Sequence, residues 1–381
     1  MSPRGFATLA IAALAAVVLA GWSITTRDVP LTATEVDQPL FPGLVDRLEQ
    51  VARIEAQTNS GTVTLRRDGD VWRVEQRHGF PANGNQVRSV ARGLAALRIV
   101  EAKTAASERL PRLELDEPGR ENAKGRRVTL KDASGSVLAS AILGKTRYDL
   151  YGGGRGGIYV RRDGESQAWL AAGEVDLPAD DLGWIDTTIV DLPEYRIRKV
   201  TLGAGGPDPI VLSRADDTQD FSLDRVPEGR KADVGELSRV AATLASLTLQ
   251  DVQPAAAKPV PDDAPLARFE TFDGQVVAIR LLVEGEGDAV QHWVQLTAEP
   301  PVAAAPAPSP AESLPAEATD PAEPTEPADA QSQPDPAAAT ARLAQRVDGW
   351  TFKVPRWVTD RLLVTRDDLL EAQTPPSAPA S

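Results

Sequence analysis

NQVRSVARGLAALRIVEA, residues 85–102, has an apolar pattern that returns as GELSRVAATLASLTLQDV, residues 235–252. Val87, Val90, Leu94 and Leu97 fall at i, i+3, i+7 and i+10, a spacing that lines them along one stripe of a helix. Leu237, Val240, Leu244 and Leu247 repeat it one for one. An apolar stripe on an otherwise polar helix must be covered, and a sheet is the natural cover where strand-like segments flank it.

Those segments lie on both sides. Ahead of the first helix, Val51 to Gln57, Thr62 to Arg67 and Val71 to Glu75 read as strands, separated by the turn signals Asn59-Ser60-Gly61 and Asp68-Gly69-Asp70. Val63 and Leu65, then Trp72 and Val74, alternate with polar neighbours as half-buried antiparallel strands do. Asn83-Gly84-Asn85 supplies the helix cap, and Arg98 to Ala102 the strand that follows. Leu110 to Pro118 reads as an extended connection. Arg126 to Lys131 with Val137 to Leu143, and Ile158 to Arg162 with Ala168 to Ala171, read as hairpins around Gly135 and Gly164.

The second copy restarts at Ile197 to Gly203, Pro209 to Arg214 and Phe221 to Leu223, with Phe221 standing where Trp72 stood. Leu266 to Thr271 and Val276 to Val283 flank Phe272-Asp273-Gly274, and His292 to Leu296 opens the next pair. The expected fold class is therefore α+β. It comprises two tandem similar domains, residues 49–194 and 195–372, each a mainly antiparallel sheet with one principal packed helix.

Residues 299–340 interrupt the second domain. They carry eight carboxylates, many Pro and Ala residues and no basic residue, so they bury too little apolar surface to offset ordering entropy and are expected to be disordered. The fold is expected to resume with Arg342 to Val347, the turn Asp348-Gly349 and Trp350 to Val354; residues 373–381 read as a tail. Much of the net charge of −14 sits in that acidic stretch, and nothing in the charge pattern points to a nucleic-acid partner. The chain has no cysteine, which excludes disulfides and thiolate metal sites.

At the N-terminus, Arg4 precedes an uncharged apolar run from Phe6 to Trp22. Residues 1–24 are expected to be a membrane anchor or signal, the uncleaved anchor being favoured because Trp22 suits the membrane interface. Positive charge before the run places the N-terminus in the cytoplasm and the body outside, periplasmic or otherwise extracytoplasmic, on the cytoplasmic (inner) membrane. Residues 25–48, with Pro30, Pro39 and Pro42, read as a stalk ending in a short helix near Leu44 to Val51.

These features resemble a bacterial family, domain of unknown function 4340. The resemblance runs over roughly residues 45–370 and is carried by Asp70-Val71-Trp72-Arg73-Val74, by Leu94 and Leu97 leading into Val100, and by Leu113-Glu114-Leu115-Asp116-Glu117-Pro118. It continues through Val128-Thr129-Leu130, Leu143-Gly144-Lys145, Tyr159-Val160 and Trp169-Leu170. The family implies a membrane-attached extracytoplasmic protein, sometimes associated with ABC transporter components of the gliding-motility type. It supplies no catalytic residues, and the insertion departs from its compact second half.

Individual motifs are weak. Gly144-Lys145-Thr146 approaches a phosphate-binding loop but sits in a strand context, and Gly152, Gly154 and Gly157 precede a strand rather than a helix. His78 and His292 have no partner at metal-ligand spacing. The pairs Asp180-Asp181, Asp216-Asp217, Asp262-Asp263 and Asp367-Asp368 read as solvated loop residues. Trp72, Trp169, Trp184, Trp350 and Trp357 read as packing residues. Contacts to a ligand or partner are expected, if anywhere, at Arg155, Trp184 and Trp357, with no catalytic residue, metal or cofactor. The expected function is a non-catalytic, membrane-anchored accessory or scaffolding protein of an envelope complex, with integral-membrane or transporter partners. A glycan- or peptide-binding module is the alternative, and a hydrolase with an unrecognised site the third.

Overall fold

The apolar residues of both stretches are buried, but they do not form two complete helical stripes. Val87, Val90 and Leu94 lie in a helix and Leu97 just past its end, whereas Leu237 and Val240 lie in a shorter helix, Leu244 in a 3₁₀ turn and Leu247 in a strand. Helix α1 (Gly84–Ala96) starts where the Asn83 side chain accepts the Asn85 and Gln86 N–H groups, at 3.0 and 3.3 Å. Helix α2 (Val234–Ala241) starts at Asp233, which accepts the Glu236 N–H at 3.1 Å. These caps satisfy N–H groups that the first helical turn leaves without partners. The computed structural model of the chain describes residues 37–149, 156–300 and 335–372. The chain divides into two compact units between Asp186 and Thr187.

In the first unit, β1 (Val51–Thr58), β2 (Gly61–Asp68), β3 (Val71–Val74) and β4 (Phe80–Pro81) form a meander before α1. After it, β5 (Arg98–Thr104) crosses to the far edge, and β6 (Arg126–Asp132), β7 (Val137–Arg147), β8 (Gly157–Arg162) and β9 (Ala168–Ala172) fill the space between. The resulting order is β4-β3-β2-β1-β6-β7-β8-β9-β5. Leu130, Ile54, Leu65 and Val74 meet in register across four of these strands and are fully buried.

The second unit opens with β10 (Thr188–Val190), which pairs with β14 (Leu247–Thr248). Its larger sheet contains β11 (Ile197–Leu202), β12 (Ile210–Ser213), β13 (Ser222–Leu223), β15 (Asp251–Pro254), β16 (Leu266–Thr271), β17 (Val276–Glu284), β18 (Gln291–Glu299) and β19 (Trp350–Lys353). Their order is β13-β12-β11-β16-β17-β18-β19-β15. Phe269, Val200, Leu212 and Leu223 form a buried row across it. Both sheets are antiparallel at every recorded pairing, and the architecture is mainly antiparallel sheet with a few helices.

Several expectations need correction. Residues 37–48 are not stalk: Leu40 and Leu44 are fully buried, Pro39 bridges to Arg98, and a 3₁₀ turn, Val45–Gln50, leads into β1. The first unit ends before residue 194, because Thr188–Val190 pairs with Leu247–Thr248 of the second. The connection before β6 is a 3₁₀ turn, Ser107–Leu113, rather than extended chain. Residues 336–347 form helix α3 (Pro336–Val347), so the expected disorder does not extend over residues 336–340. Asp335 caps this helix through the Ala337 N–H, Pro336 suits its first turn, and Leu343 and Val347 are buried. Glu299 still belongs to β18. Residues 301–334 lie outside the described residues, as do the expected span over residues 6–22, the first half of the expected stalk and the tail from 373. Among the described residues no helix is long and apolar enough to cross a membrane.

Leu113, Leu115 and Tyr159, among the residues that carry the resemblance, belong to a small cluster on the outer face of the first sheet. Leu110 and Leu115 pack on Ile142 and Ala168 there, with Leu113 and Tyr159 beside them. Gly144 lies in β7, and a Cβ on it would overlap the Leu113 carbonyl oxygen, so its role is close backbone approach rather than phosphate binding. Gly144→Ala is expected to lower stability by about 2 kcal/mol, whereas Lys145→Ala at the exposed neighbouring position should change it by less than about 0.5 kcal/mol. Urea unfolding of both variants measures this, and equal effects would contradict the packing role.

Asp273 sits in the turn between β16 and β17. Burial opposes its ionisation, but the Thr271 hydroxyl and the Arg196 guanidinium, 2.7 Å away, hold it below the usual carboxylate range. A depressed folded-state pKa gives stability that is present above the unfolded-state value of about 3.9 and is lost as pH falls through the folded-state value. Asp273→Asn should therefore unfold at lower denaturant than wild type at neutral pH, with the gap closing below about pH 4. A gap that stays constant across that range would contradict this assignment.

Candidate functional site

The first unit carries a half-open groove of about 580 Å³. Three elements build it: the 3₁₀ turn Val45–Gln50, the β2–β3 hairpin and the first turns of α1. Its apolar lining is Leu48, Val51, Val71, Trp72, Val87 and Ala91, and its charged lining is Glu49, Arg67, Asp70, Arg88 and Arg92. The helical period explains the second set. With Val87, Val90 and Leu94 turned into the core, Arg88 and Arg92 occupy the flank one position on, a turn apart. Arg67 stands opposite Trp72 in the hairpin register and donates to the carbonyls of Gly69 at 3.0 Å and Glu49 at 3.1 Å. It thus ties the hairpin to the turn and leaves Trp72 half-buried at the groove.

The matching positions of the second unit are packed shut. Arg214 precedes Phe221 across the β12–β13 turn as Arg67 precedes Trp72, and its guanidinium lies 4.4 Å from the Phe221 ring centre. It also donates to the carbonyls of Ile197, at 2.9 Å, and Glu194. Phe221 is buried beneath it. Stacking of a cation on an aromatic face fills the space that the first unit leaves open.

Beyond the groove, the outward residues of the first sheet form a second feature. Lys131, Arg53, Arg66 and Arg73 align in register across four strands. Like charges placed side by side are unfavourable unless compensated, and three of them are: Arg53 pairs with Glu75 at 2.7 Å, Arg73 with Asp68 at 2.9 Å and Lys131 with Glu55 at 2.7 Å. The corresponding row of the second sheet reads Glu270, Lys199, Ser213 and Ser222. Farther along the first sheet, Glu117 accepts from Arg127 and from buried Arg161, and Arg127 also pairs with Asp163 at 3.1 Å. This network clamps the covering segment onto the sheet.

Of the residues expected to contact a ligand, Arg155 lies outside the described residues. Trp184 is fully buried in the first unit, where its carbonyl accepts the Asn83 N–H at 2.7 Å, so it is a packing residue and no surface contact. Trp357 lies in α4 (Arg356–Leu362) of the second unit and is partly exposed, with Arg361 stacked 4.5 Å from its ring centre. The paired carboxylates serve local structure: Asp181 binds Arg77 through both oxygens at 2.8 and 2.9 Å, and Asp180 accepts the Gly183 N–H. The Thr218 and Thr365 hydroxyls hold Asp216 and Asp368 below the usual carboxylate range. His292 is bonded to the Thr359 hydroxyl at 2.6 Å. Among the described residues no cluster of His, Asp and Glu is arranged to hold a metal ion.

Trp72 and Val87 are legible in the sequence only as packing residues, and Glu49, Arg88 and Arg92 are not singled out there. One signal was present: α1 contains two arginines and no carboxylate, in a chain with 55 Asp and Glu residues. Among curated proteins and solved structures, none matches the chain. The sequence profile of one family, described as domain of unknown function (DUF4340), matches residues 72–267, which is more than half of the 381 residues. That span holds Trp72, α1, the covered outer face and the start of the second sheet, and the chain belongs to this family.

Proposed function

We propose that the chain is a non-catalytic accessory or scaffolding protein of the cell envelope, anchored in the cytoplasmic membrane by a helix over residues 6–22 with its body outside. Its two units are read as tandem similar α+β domains that arose by duplication of one. Its partners are integral-membrane proteins, and transporter components of the gliding-motility type are the class that the family resemblance implies. The observation that carries this reading is the contrast between the two sheets. They share strand order and a buried cross-strand row, yet the first has an open groove where the second packs Arg214 onto Phe221. A duplicated frame with one surface opened is what a protein that works by binding requires. The uncharged apolar run before the folded body supports attachment to a membrane.

Co-purification from mildly solubilised native membranes tests the proposal, comparing the full-length chain with a form lacking residues 1–24. Integral-membrane partners in stoichiometric amount with the full-length chain alone are the expected outcome. Recovery of no such partner with either form would overturn it.

A further inference from the structure

The groove of the first unit has an unusual charge arrangement that the accessory reading does not use. Its helical wall presents Arg88 and Arg92, and the turn and hairpin on the other side present Glu49 and Asp70. Arg88 reaches only the Asn85 side chain, at 2.5 Å. Among the described residues the side chains of Arg92, Glu49 and Asp70 have no hydrogen-bonding or ion-pair partner. The adjoining sheet face behaves differently, since Arg53, Arg73 and Lys131 are each neutralised by a carboxylate. The floor between the charged walls is apolar, formed by Val51, Trp72, Val87 and Ala91.

We infer that this groove binds a short zwitterionic peptide. The peptide carboxylate would meet the Arg88 and Arg92 guanidinium groups, and its ammonium Glu49 and Asp70, while small apolar side chains rest on Trp72 and Ala91. Guanidinium groups bind carboxylates through paired N–H donors, and the two acidic side chains provide matching acceptors for an ammonium. Both signs of charge in one groove disfavour a polyanion, which Glu49 and Asp70 would repel. A neutral glycan leaves all four charges unused. A volume of about 580 Å³ lies within the range of small-ligand sites, and the half-open form lets a longer chain continue out of the groove. The inference does not rest on membrane anchoring or on a transporter partner, so it stands or falls separately from the co-purification.

Isothermal titration of the full-length protein in detergent with tetra-alanine, its N-acetyl form and its C-terminal amide tests the inference. The free peptide is expected to bind, and each cap to weaken binding about three- to tenfold, as loss of one partly exposed charge-assisted contact does. Arg92→Gln should reduce the effect of amidation and keep that of acetylation, and Asp70→Asn should do the reverse; both positions are exposed. The capped-peptide comparison on the unmodified protein remains decisive if either variant fails to fold. No binding of the free peptide at millimolar concentration would overturn the inference. So would equal affinity for all three peptides.

Discussion

The buried row Leu130–Ile54–Leu65–Val74 is the constraint on which the first unit depends. Its neighbours one residue on are Lys131, Arg53, Arg66 and Arg73, also in register. Side chains alternate between the faces of a sheet, so a slip of one residue on any of these strands would drive a cation into the core and a large apolar side chain out of it. Burying such a charge without a partner costs far more than the sheet gains from one further ladder bond. Register is therefore held by the contrast between two adjacent rows. The second sheet has the same apolar row in Phe269–Val200–Leu212–Leu223, guarded more weakly by Glu270 and Lys199.

Register in turn places the groove. With Leu65 opposite Val74, Arg67 must stand opposite Trp72, at the end of the hairpin beside α1 and the turn before β1. Whether that place is open depends on where the arginine goes. Arg67 reaches across to the Glu49 and Gly69 carbonyls, while Arg214 folds onto a smaller ring that is already buried. One aromatic exchange and one arginine conformer thus separate an open groove from a packed surface. The open version carries its charged groups on a hairpin, a turn and a helix around an apolar floor.

What could be read from the sequence was local. The helical spacing and the turn signals at Gly61, Gly69, Gly135, Gly164 and Gly274 depend on residues a few positions apart. They predict the succession of strands along the chain before and after α1 and α2, not their order in the sheets. What could not be read was long-range or hidden by composition. Leu40 and Leu44 sit among prolines that read as a stalk, yet β5 supplies a partner for the Pro39 segment. Helix α3 follows an acidic Pro- and Ala-rich run whose bias obscured the Asp335 cap and the good helix formers after it. The groove joins residues 48, 72 and 88, which no periodicity relates. Trp184, also expected as a contact residue, is buried, as aromatic area most often is.

Native-state hydrogen exchange, resolved by residue, tests the role of the two rows most directly. Amides of β1, β2 and β6 flanking Ile54, Leu65 and Leu130, with those around Val200, Leu212 and Phe269, should be the slowest to exchange and should open only with unfolding of their unit. Amides of the turn Val45–Gln50 and of the β2–β3 hairpin tip should exchange faster. Rapid exchange along the rows, with the slowest amides elsewhere, would contradict the account.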